Sequence, residues 1–175
     1  MPSGTKWYNA NLGASAPEET GNLYAWGEIA TKTKYTWSNY IHYVKVPAVW
    51  KTIGTDISKT EYDAAYEINK NSCMPTKTQW QELIDNCTWR KQVVHNNRYL
   101  IWEVTGPNGN SIILPINGYC YYWAVIKEYN AYYWTSTYDS SDVSKAYEFM
   151  SEENEIQVTT TARSYGVLIR PVSVN

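Results

Sequence analysis

The chain has 175 residues, a formal net charge of −2 and only 18% charged side chains. That length suffices for one domain with its own core, without disulfides or a structural metal ion. The near-neutral charge excludes the basic surface that attracts nucleic acids and anionic membranes, and no apolar run approaches the ~20 residues that span a bilayer. We therefore expect a single domain over residues 5–175 that neither binds nucleic acid nor inserts into a membrane.

The aromatic composition is unusual, with 17 Tyr and 9 Trp but a single Phe. Phe commonly fills protein cores because it has no polar atom to satisfy. Eight of the tyrosines lie between Tyr119 and Tyr147. Because Tyr combines a large contact area with a hydroxyl group and few rotatable bonds, it is enriched in binding surfaces. This concentration of Tyr predicts a binding function for the segment.

The first third of the chain predicts little regular structure. The opening residues, MPSGTKWYNA, lack the basic and apolar segments of a signal peptide. Between residues 5 and 50, tryptophans are spaced among Gly, Pro, Asn and Thr, which predicts loops and short strands around aromatic anchors. These tryptophans are Trp7, Trp26, Trp37 and Trp50.

Two helices are predicted in the first half of the chain, each by a capping box at its start. Ser58 with Glu61 and Thr76 with Gln79 both have the required spacing. We expect the second helix to end near residues 85–86. The predicted apolar faces are Tyr62, Ala65, Tyr66 and Ile68 in the first helix, and Trp80, Leu83 and Ile84 in the second.

Strands are predicted after Trp89. Residues 99–104 and 111–115 are rich in β-forming residues, and the turn Gly-Pro-Asn-Gly-Asn between them predicts a hairpin. Further strands are predicted at 132–136, 145–150, 155–159 and 165–172. Two helices in the first half and antiparallel strands in the second are typical of the α+β class.

Five segments, taken together and in this order, resemble the Fibrobacter major paralogous domain family. They read WYNANLGASAPEETGNLYAWGE, MPTKTQWQELIDNCTW, VTGPNGNSIILPINGY, YYWTSTY and RSYGVLIRPV, and they span residues 7–172. This family is related to the formylglycine-generating-enzyme type of C-type lectin fold and is abundant in gut Bacteroidetes and their phages. The resemblance implies a C-type-lectin-like α+β fold. It also implies scaffold roles for Arg163, Gly166 and Arg170, and turns at Gly13 and Gly27.

Some domains of this kind are variable proteins of diversity-generating retroelements, similar to the phage major tropism determinant. In these proteins, adenines near the 3′ end of the gene are randomised, and the varied residues face the ligand. The present chain reads CYYWAVIKEYNA where relatives usually have a Gly-rich stretch. An AAC codon with both adenines randomised encodes Tyr, Asn and Asp but not Trp, Lys or Glu. Trp123, Lys127 and Glu128 therefore fit a binding role better than adenine-directed variation.

We predict that the ligand-binding surface lies in this departure from the family pattern and beside it. Neighbouring residues of a strand point to opposite faces, so Tyr132 and Tyr133 are not both expected inside, and we expect Tyr133, Trp134 and Trp102 in the core. The predicted site residues are Tyr121, Tyr122, Trp123, Tyr129, Asn130, Tyr132, Tyr138, Asp139, Ser141 and Tyr165.

We expect no catalytic residue, cofactor or metal ion. Formylglycine-generating enzymes use two cysteines late in the chain, whereas here only Cys120 is late, with Cys73 and Cys87 far from it. One disulfide among these three cysteines is a possible alternative, but we favour three inert thiols. His42 and His95 are isolated, and the oxygen ligands of a C-type-lectin calcium site are missing; Asn130, Asp139 and Asp142 are a weak alternative.

The function that we expect is recognition of a receptor by this Tyr- and Trp-rich surface. The expected partner is a protein or a glycan on another cell or host surface, and the expected location is extracellular, at a cell surface or on a virion. The alternative is a structural or adhesive tip subunit of a pilus-like or phage fibre assembly, in which the Tyr patch is a subunit interface and the chain forms an oligomer.

Overall fold

The structure is a computed structural model that describes residues 1–95, 98–127, 129–152 and 155–174. Glu128 lies outside the described residues. In chain order the strands are β1 (Leu23–Tyr24), β2 (Tyr43–Val44), β3 (Val49–Trp50), β4 (Ser72–Cys73), β5 (Thr88–Val94), β6 (Tyr99–Thr105), β7 (Ser111–Pro115), β8 (Tyr119–Tyr121), β9 (Ala124–Ile126), β10 (Ala131–Tyr138), β11 (Lys145–Glu152), β12 (Glu155–Ala162), β13 (Val167–Leu168) and β14 (Val172–Ser173). The helices are α1 (Ala64–Ile68) and α2 (Lys77–Asn86), preceded by a 3-10 turn at Trp37–Asn39.

The largest sheet has five strands in the order β1-β13-β10-β11-β12. Smaller sheets pair β5-β6-β7, β14-β4, β2-β3 and β8-β9. Strands thus predominate over the two helices of the described residues, an arrangement compatible with the predicted α+β class. Among the described residues, no helix has the length and hydropathy that crossing a bilayer requires.

Strand β10 occupies the centre of this sheet, and both of its faces are covered. Tyr132 and Trp134 contact one buried cluster, while Tyr133 contacts a second cluster on the opposite face. The prediction that either Tyr132 or Tyr133 is exposed is therefore wrong. Alternation does send them to opposite faces, but each face of a central strand is packed. Tyr133, Trp134 and Trp102 are buried, as predicted.

Helix α2 confirms the second capping-box prediction. Thr76 Oγ1 accepts a hydrogen bond from Gln79 N at 3.2 Å, and Gln79 Oε1 accepts one from Thr76 N at 2.9 Å. The helix ends at Asn86, within the predicted range. Its buried Trp80 stacks on Phe149 of the sheet with ring centroids 4.5 Å apart. The apolar side of α2 is thereby held against the five-stranded sheet.

Helix α1 begins later than predicted, because Asp63 is its N-cap. The Asp63 carboxylate accepts hydrogen bonds from Ala65 N and Tyr66 N at 3.0 and 3.1 Å. It also accepts one from Met74 N at 2.9 Å. Ser58 and Glu61 lie in the turns before the helix, so the capping box assigned to them is wrong. A buried carboxylate serving several amides outcompetes a hydroxyl as a cap.

The predicted hairpin at residues 99–115 is confirmed. Strand β6 pairs antiparallel with β7, and Thr105 lies opposite Ser111. Gly109 has φ +80° in the connecting turn. The outer strand β5, which pairs with β6 over its whole length, extends this hairpin to three strands. Its individual bounds were not predicted.

The single strand predicted at residues 165–172 is wrong, because this segment divides between two sheets. Strand β13 pairs with β1 and β10, whereas β14 pairs with β4. Between them the buried Arg170 guanidinium donates hydrogen bonds to Asn11 Oδ1, Tyr8 O and Ile113 O at 2.8, 3.0 and 2.6 Å. The Arg170 side chain thereby links the N-terminal residues Tyr8 and Asn11 and strand β7 to the C-terminal end of the chain. This is the scaffold role predicted for it.

Arg163 joins the segment 34–51 to the five-stranded sheet. Its Nε donates to Tyr40 Oη at 2.9 Å, and one terminal nitrogen donates to Lys51 O and Val143 O at 3.1 and 3.0 Å. Its guanidinium carbon lies 4.9 Å from the centre of the Trp26 ring. Arg163 is fully buried, so it fixes the loop that flanks the candidate site.

Candidate ligand-binding surface

Strands β8 and β9 form a hairpin whose turn consists of Tyr122 and Trp123. Tyr121 pairs with Ala124, which leaves two residues in the turn. Two-residue hairpin turns need positive φ and therefore favour Gly, Asn or Asp. Tyr122 nevertheless has φ +59°, a conformation that costs a bulky L-residue about 1–2 kcal/mol. The turn thus keeps a bulky aromatic residue, Tyr122, where glycine would be less strained.

Backbone contacts from two other segments hold this hairpin in place. Tyr35 and Tyr122 exchange reciprocal N–H to C=O hydrogen bonds of 2.7 and 2.8 Å. Cys120 and Gly166 form a second such pair, also at 2.7 and 2.8 Å. A Cβ at Gly166 would lie 2.9 Å from the Tyr35 ring, so this close approach requires glycine. The strained turn is therefore supported from both sides.

The turn presents its aromatic rings to solvent. The exposed fraction is 73% for Trp123 and 38% for Tyr122. Lys34 Nζ lies 5.4 Å from the Trp123 ring centre and 5.0 Å from that of Tyr122. A cation at this distance is attracted to the ring faces. Lys34 thereby restrains both rings while leaving them open to a ligand.

A chain of ring contacts connects the exposed turn with the core. Trp123 contacts Tyr122, with ring centroids 5.5 Å apart, and Tyr122 contacts Tyr121 at 4.7 Å. Tyr121 contacts Tyr165 at 5.1 Å, and Tyr165 stacks on Tyr119 at 5.2 Å. We call these five residues the aromatic ladder. Edge-to-face and stacked pairs each contribute about 0.5–1.5 kcal/mol beyond burial, so the ladder limits the motion of the exposed rings.

The segment 34–50 contacts the hairpin through Tyr35 and carries exposed apolar side chains of its own. Cys120, in strand β8 of the hairpin, shares a buried cluster with Tyr35 and Tyr40, and Trp50 packs against that cluster. The exposed apolar residues of this segment are Trp37, Ile41, Val46 and Val49.

Sequence reasoning did not include the segment 34–50 in the site. It lies about 85 residues before the hairpin, and only the folded backbone brings them together. The available signal was the stretch YTWSNYIHYVKVPAVW at 35–50, which has aromatic and apolar residues without strand alternation. Such a stretch is more aromatic than a simple connecting loop requires.

Tyr129 and Asn130 lie at the other end of the hairpin from Trp123. The paired residues of β8 and β9 separate them from the turn. Asn130 O accepts a hydrogen bond from Gly118 N at 2.8 Å, and Tyr129 O accepts one from Lys91 Nζ at 3.2 Å. The Tyr129 side chain is 77% exposed, but the structure does not bring it to the aromatic ladder.

Tyr132 and Tyr138 were predicted on the binding surface, and both are buried. The Tyr132 ring packs edge-on against Tyr119, with centroids 5.1 Å apart. The ring centroids of Tyr138 and Trp26 are 6.0 Å apart. Both belong to the same buried cluster beneath the sheet. The prediction that these rings contact the ligand is corrected: they support the surface from within.

Asp139 and Ser141, also predicted in the site, form a local turn beyond the end of β10. Asp139 is buried, and its carboxylate accepts hydrogen bonds from Ser141 N at 2.9 Å and Ser141 Oγ at 2.6 Å. These bonds hold the pKa of Asp139 below its ordinary value. Because β10 has eight residues, this turn lies roughly 25 Å along the strand from Asn130. The prediction that Asp139 is an exposed contact is corrected.

The three thiols and the His42 imidazole are buried or partly buried, which does not suit them to catalysis. Burial raises the pKa of the Cys73, Cys87 and Cys120 thiols, which lowers the thiolate fraction that nucleophilic chemistry needs. Burial also lowers the pKa of His42, whose Nε2 lies 2.8 Å from Gly27 O. In the described part of the chain, no three His, Cys, Asp or Glu side chains form a metal-binding group.

The chain matched no family model, no curated protein and no solved structure. The family resemblance, with its C-type-lectin-like fold, therefore stays a prediction. Any functional assignment depends on the geometry of the hairpin and its neighbours.

Proposed function

We propose that this chain is a receptor-recognition module with a C-type-lectin-like fold, and that its ligand contacts the aromatic ladder and the adjoining segment 34–50. The single observation that supports this most is Tyr122. A bulky residue with φ +59° opposes folding, yet its ring and that of Trp123 are exposed. Strained backbone at an exposed position is typical of binding sites.

The proposed mechanism is surface complementarity. Trp123 and Tyr122 supply apolar area and polar atoms at a small entropic cost, because the ladder and Lys34 already restrain them. The exposed side chains of segment 34–50 extend the contact. The expected partner is a protein or a glycan on another cell or host surface, and no chemical step is part of the proposal.

A glycan array and a panel of intact bacterial and host cells test this function. The labelled wild-type chain is compared with a Tyr122→Ser/Trp123→Ser double variant and with Tyr129→Ser as an exposed control. Loss of a central aromatic contact costs about 2 kcal/mol or more, or roughly 30-fold in affinity. We expect that loss for the double variant only. Equal binding by all three proteins to a target that the wild type recognises would reject the proposed surface.

The retroelement hypothesis is retained for part of the surface. Tyr121, Tyr122 and Tyr165 are residue types that a randomised AAC codon can encode, and they belong to the ladder. Tyr132 and Tyr138 are also compatible with such a codon, but burial of both rings makes free variation there destabilising. Sequencing the locus from several isolates tests this directly: we expect substitutions at the first three positions and none at the last two. Variation spread evenly over all five would contradict the hypothesis.

The alternative function, a structural or adhesive tip subunit, uses the same exposed rings as a subunit interface. Exposed aromatic and apolar side chains can bind a separate ligand or a neighbouring subunit. The oligomeric state distinguishes the two functions.

A further inference from the structure

Glu148 of β11 is a buried carboxyl group without a counterion. Its exposed fraction is 4%. The sheet register places Trp134 on one side of it and Thr159 on the other. Within the described ranges, its carboxyl has neither a hydrogen-bond donor nor a salt-bridge partner. Lys127, the neighbouring cation, is bonded instead to Glu152 Oε1 at 2.6 Å.

Tyrosines lie around this carboxyl on the same face of the sheet. Tyr132 is opposite Met150, which is two residues from Glu148, so both side chains share that face. The buried Tyr132 hydroxyl has no hydrogen-bond partner in the described part of the chain. Burial raises the pKa of Tyr165, and the Tyr119 phenol and the Glu148 carboxyl contribute to that rise. Glu148 therefore lies on the same face of the sheet as the buried cluster against which Tyr119 and Tyr165, at the inner end of the ladder, pack.

Beyond Glu148, this face of the sheet becomes partly exposed to solvent at β12. The residues of β12 that share the face are Gln157, Thr159 and Thr161, opposite Met150, Glu148 and Ala146 respectively. Gln157 is exposed, and the two threonines are partly exposed. The β12 side of Glu148 is thus bordered by side chains that contact solvent.

We propose that Glu148, together with the rings of Tyr119, Tyr132 and Tyr165, forms a subsite for an organic cation, the ammonium or guanidinium group of a Lys or Arg side chain on a protein ligand. The subsite rests on the proposed function, because the same ligand would cover the ladder. Ring faces attract cations, and the carboxylate supplies the missing opposite charge. A metal ion is a poor alternative, since hard cations need several oxygen ligands.

Cation binding at this subsite is coupled to loss of a proton. Burial raises the pKa of Glu148 to about 8, against the opposing effect of Lys127. The carboxyl is therefore mostly protonated at neutral pH, and an incoming cation favours its ionised form. The charged and titratable groups around it are Lys127, Glu152, Tyr119, Tyr132 and Tyr165. Affinity should rise roughly tenfold per pH unit from about pH 6 to about pH 8 and then level off.

The test is a titration of the ¹⁵N-labelled full chain with Nα-acetyl-lysine amide and Nα-acetyl-arginine amide, followed by NMR. Nα-acetyl-norleucine amide, which has no charge, is the matched control ligand. We expect saturable shifts at Glu148, Thr159 and Tyr165 with the two cations, at concentrations up to roughly 50 mM, above the millimolar range of so small a ligand. We expect none with norleucine, and tighter binding at the higher pH.

Two variants complete the test. Glu148→Gln should abolish cation binding, whereas Glu155→Gln, an exposed carboxyl of β12, should leave it unchanged. No saturation by either cation at about pH 8.5, where the carboxyl is mostly ionised, or binding that persists in Glu148→Gln, overturns the subsite.

Failure of the subsite and failure of the proposed function give different results. If cations do not bind but the Tyr122→Ser/Trp123→Ser variant loses the cell or glycan target, only the subsite is rejected. If cations bind to Glu148 and that variant keeps the target, the proposed surface is rejected while the cation site stands.

Discussion

At the residue scale, Tyr122 and Glu148 are notable because both oppose folding where they lie. Tyr122 adopts φ +59° in a turn that favours glycine, and Glu148 is a buried carboxyl without a counterion. Residues that oppose folding persist when they serve another purpose. Neither was recognisable from the sequence as unusual, since the first reads as one more Tyr and the second as one more exposed Glu.

We expect Tyr122→Gly to separate stability from binding. Glycine relieves the positive φ, which costs about 1–2 kcal/mol for a bulky residue, but loses the ring contacts with Tyr121 and Trp123. The free energy of unfolding should stay within about 1 kcal/mol of the wild type, while target binding falls. Urea denaturation measures this. A matched Tyr129→Gly variant should bind normally, and a large destabilisation by Tyr122→Gly would argue against strain in the turn.

We expect Glu148→Gln to change how stability depends on pH. The pKa is about 8 in the folded chain and near the ordinary 4.5 in the unfolded chain. Between these values the folded state binds the extra proton, so stability is lost as the pH rises. The neutral amide has no such dependence. In thermal unfolding, the Tm of the variant should therefore exceed that of the wild type by an amount that increases from about pH 5 to about pH 8. A difference that is constant over this range would show that Glu148 ionises normally.

At the element scale, the outcome of each helix prediction follows from where its cap bonds. The Thr76 box was predictable because both of its hydrogen bonds lie within four residues. The cap of α1 was not predictable in this way, because the Asp63 carboxylate also accepts a hydrogen bond from Met74 N, eleven residues away. Likewise, the alternation of Tyr132 and Tyr133 was predictable. The cover on each face was not, because it comes from distant parts of the chain: α2 packs on the side of Tyr133, and Trp26, Ile57 and α1 pack on the side of Tyr132.

We expect Asp63→Ala to be strongly destabilising. Its carboxylate accepts hydrogen bonds from four backbone amides, those of Lys59, Ala65, Tyr66 and Met74. Leaving buried donors unsatisfied costs about 1–3 kcal/mol each, so the loss should exceed about 3 kcal/mol. Asp56→Ala is the control, because Asp56 is exposed and its side chain serves only Ser58 N among the described residues. Equal denaturation midpoints for the two variants would contradict the role of Asp63 as the central cap.

At the scale of the whole molecule, the hairpin β8–β9 exposes aromatic rings on a packed scaffold, and segment 34–50 contacts it through Lys34 and Tyr35. Sequence composition predicted such a surface and four of its rings, at Tyr121, Tyr122, Trp123 and Tyr165. It did not predict Lys34, because only the folded chain brings its ammonium group beside the rings of the hairpin. The other predicted residues divide between the core, the base of the hairpin and a distant turn.

If the surface recognises a separate ligand, the purified chain should be a monomer of 20.2 kDa. Multi-angle light scattering over a range of concentrations measures this mass. Tyr122→Ser/Trp123→Ser should leave it unchanged. An oligomer that persists on dilution but dissociates with these substitutions would favour the structural alternative.

The most direct test of the binding surface is a hydrogen-exchange footprint of the chain with and without the target found by the cell and glycan screen. Backbone amides of β8, β9 and segment 34–50 should exchange more slowly in the complex, because the ligand covers them. Amides of the β6–β7 turn and of α2 should be unaffected. Protection at that turn or at α2, with none at the hairpin, would contradict the proposed function.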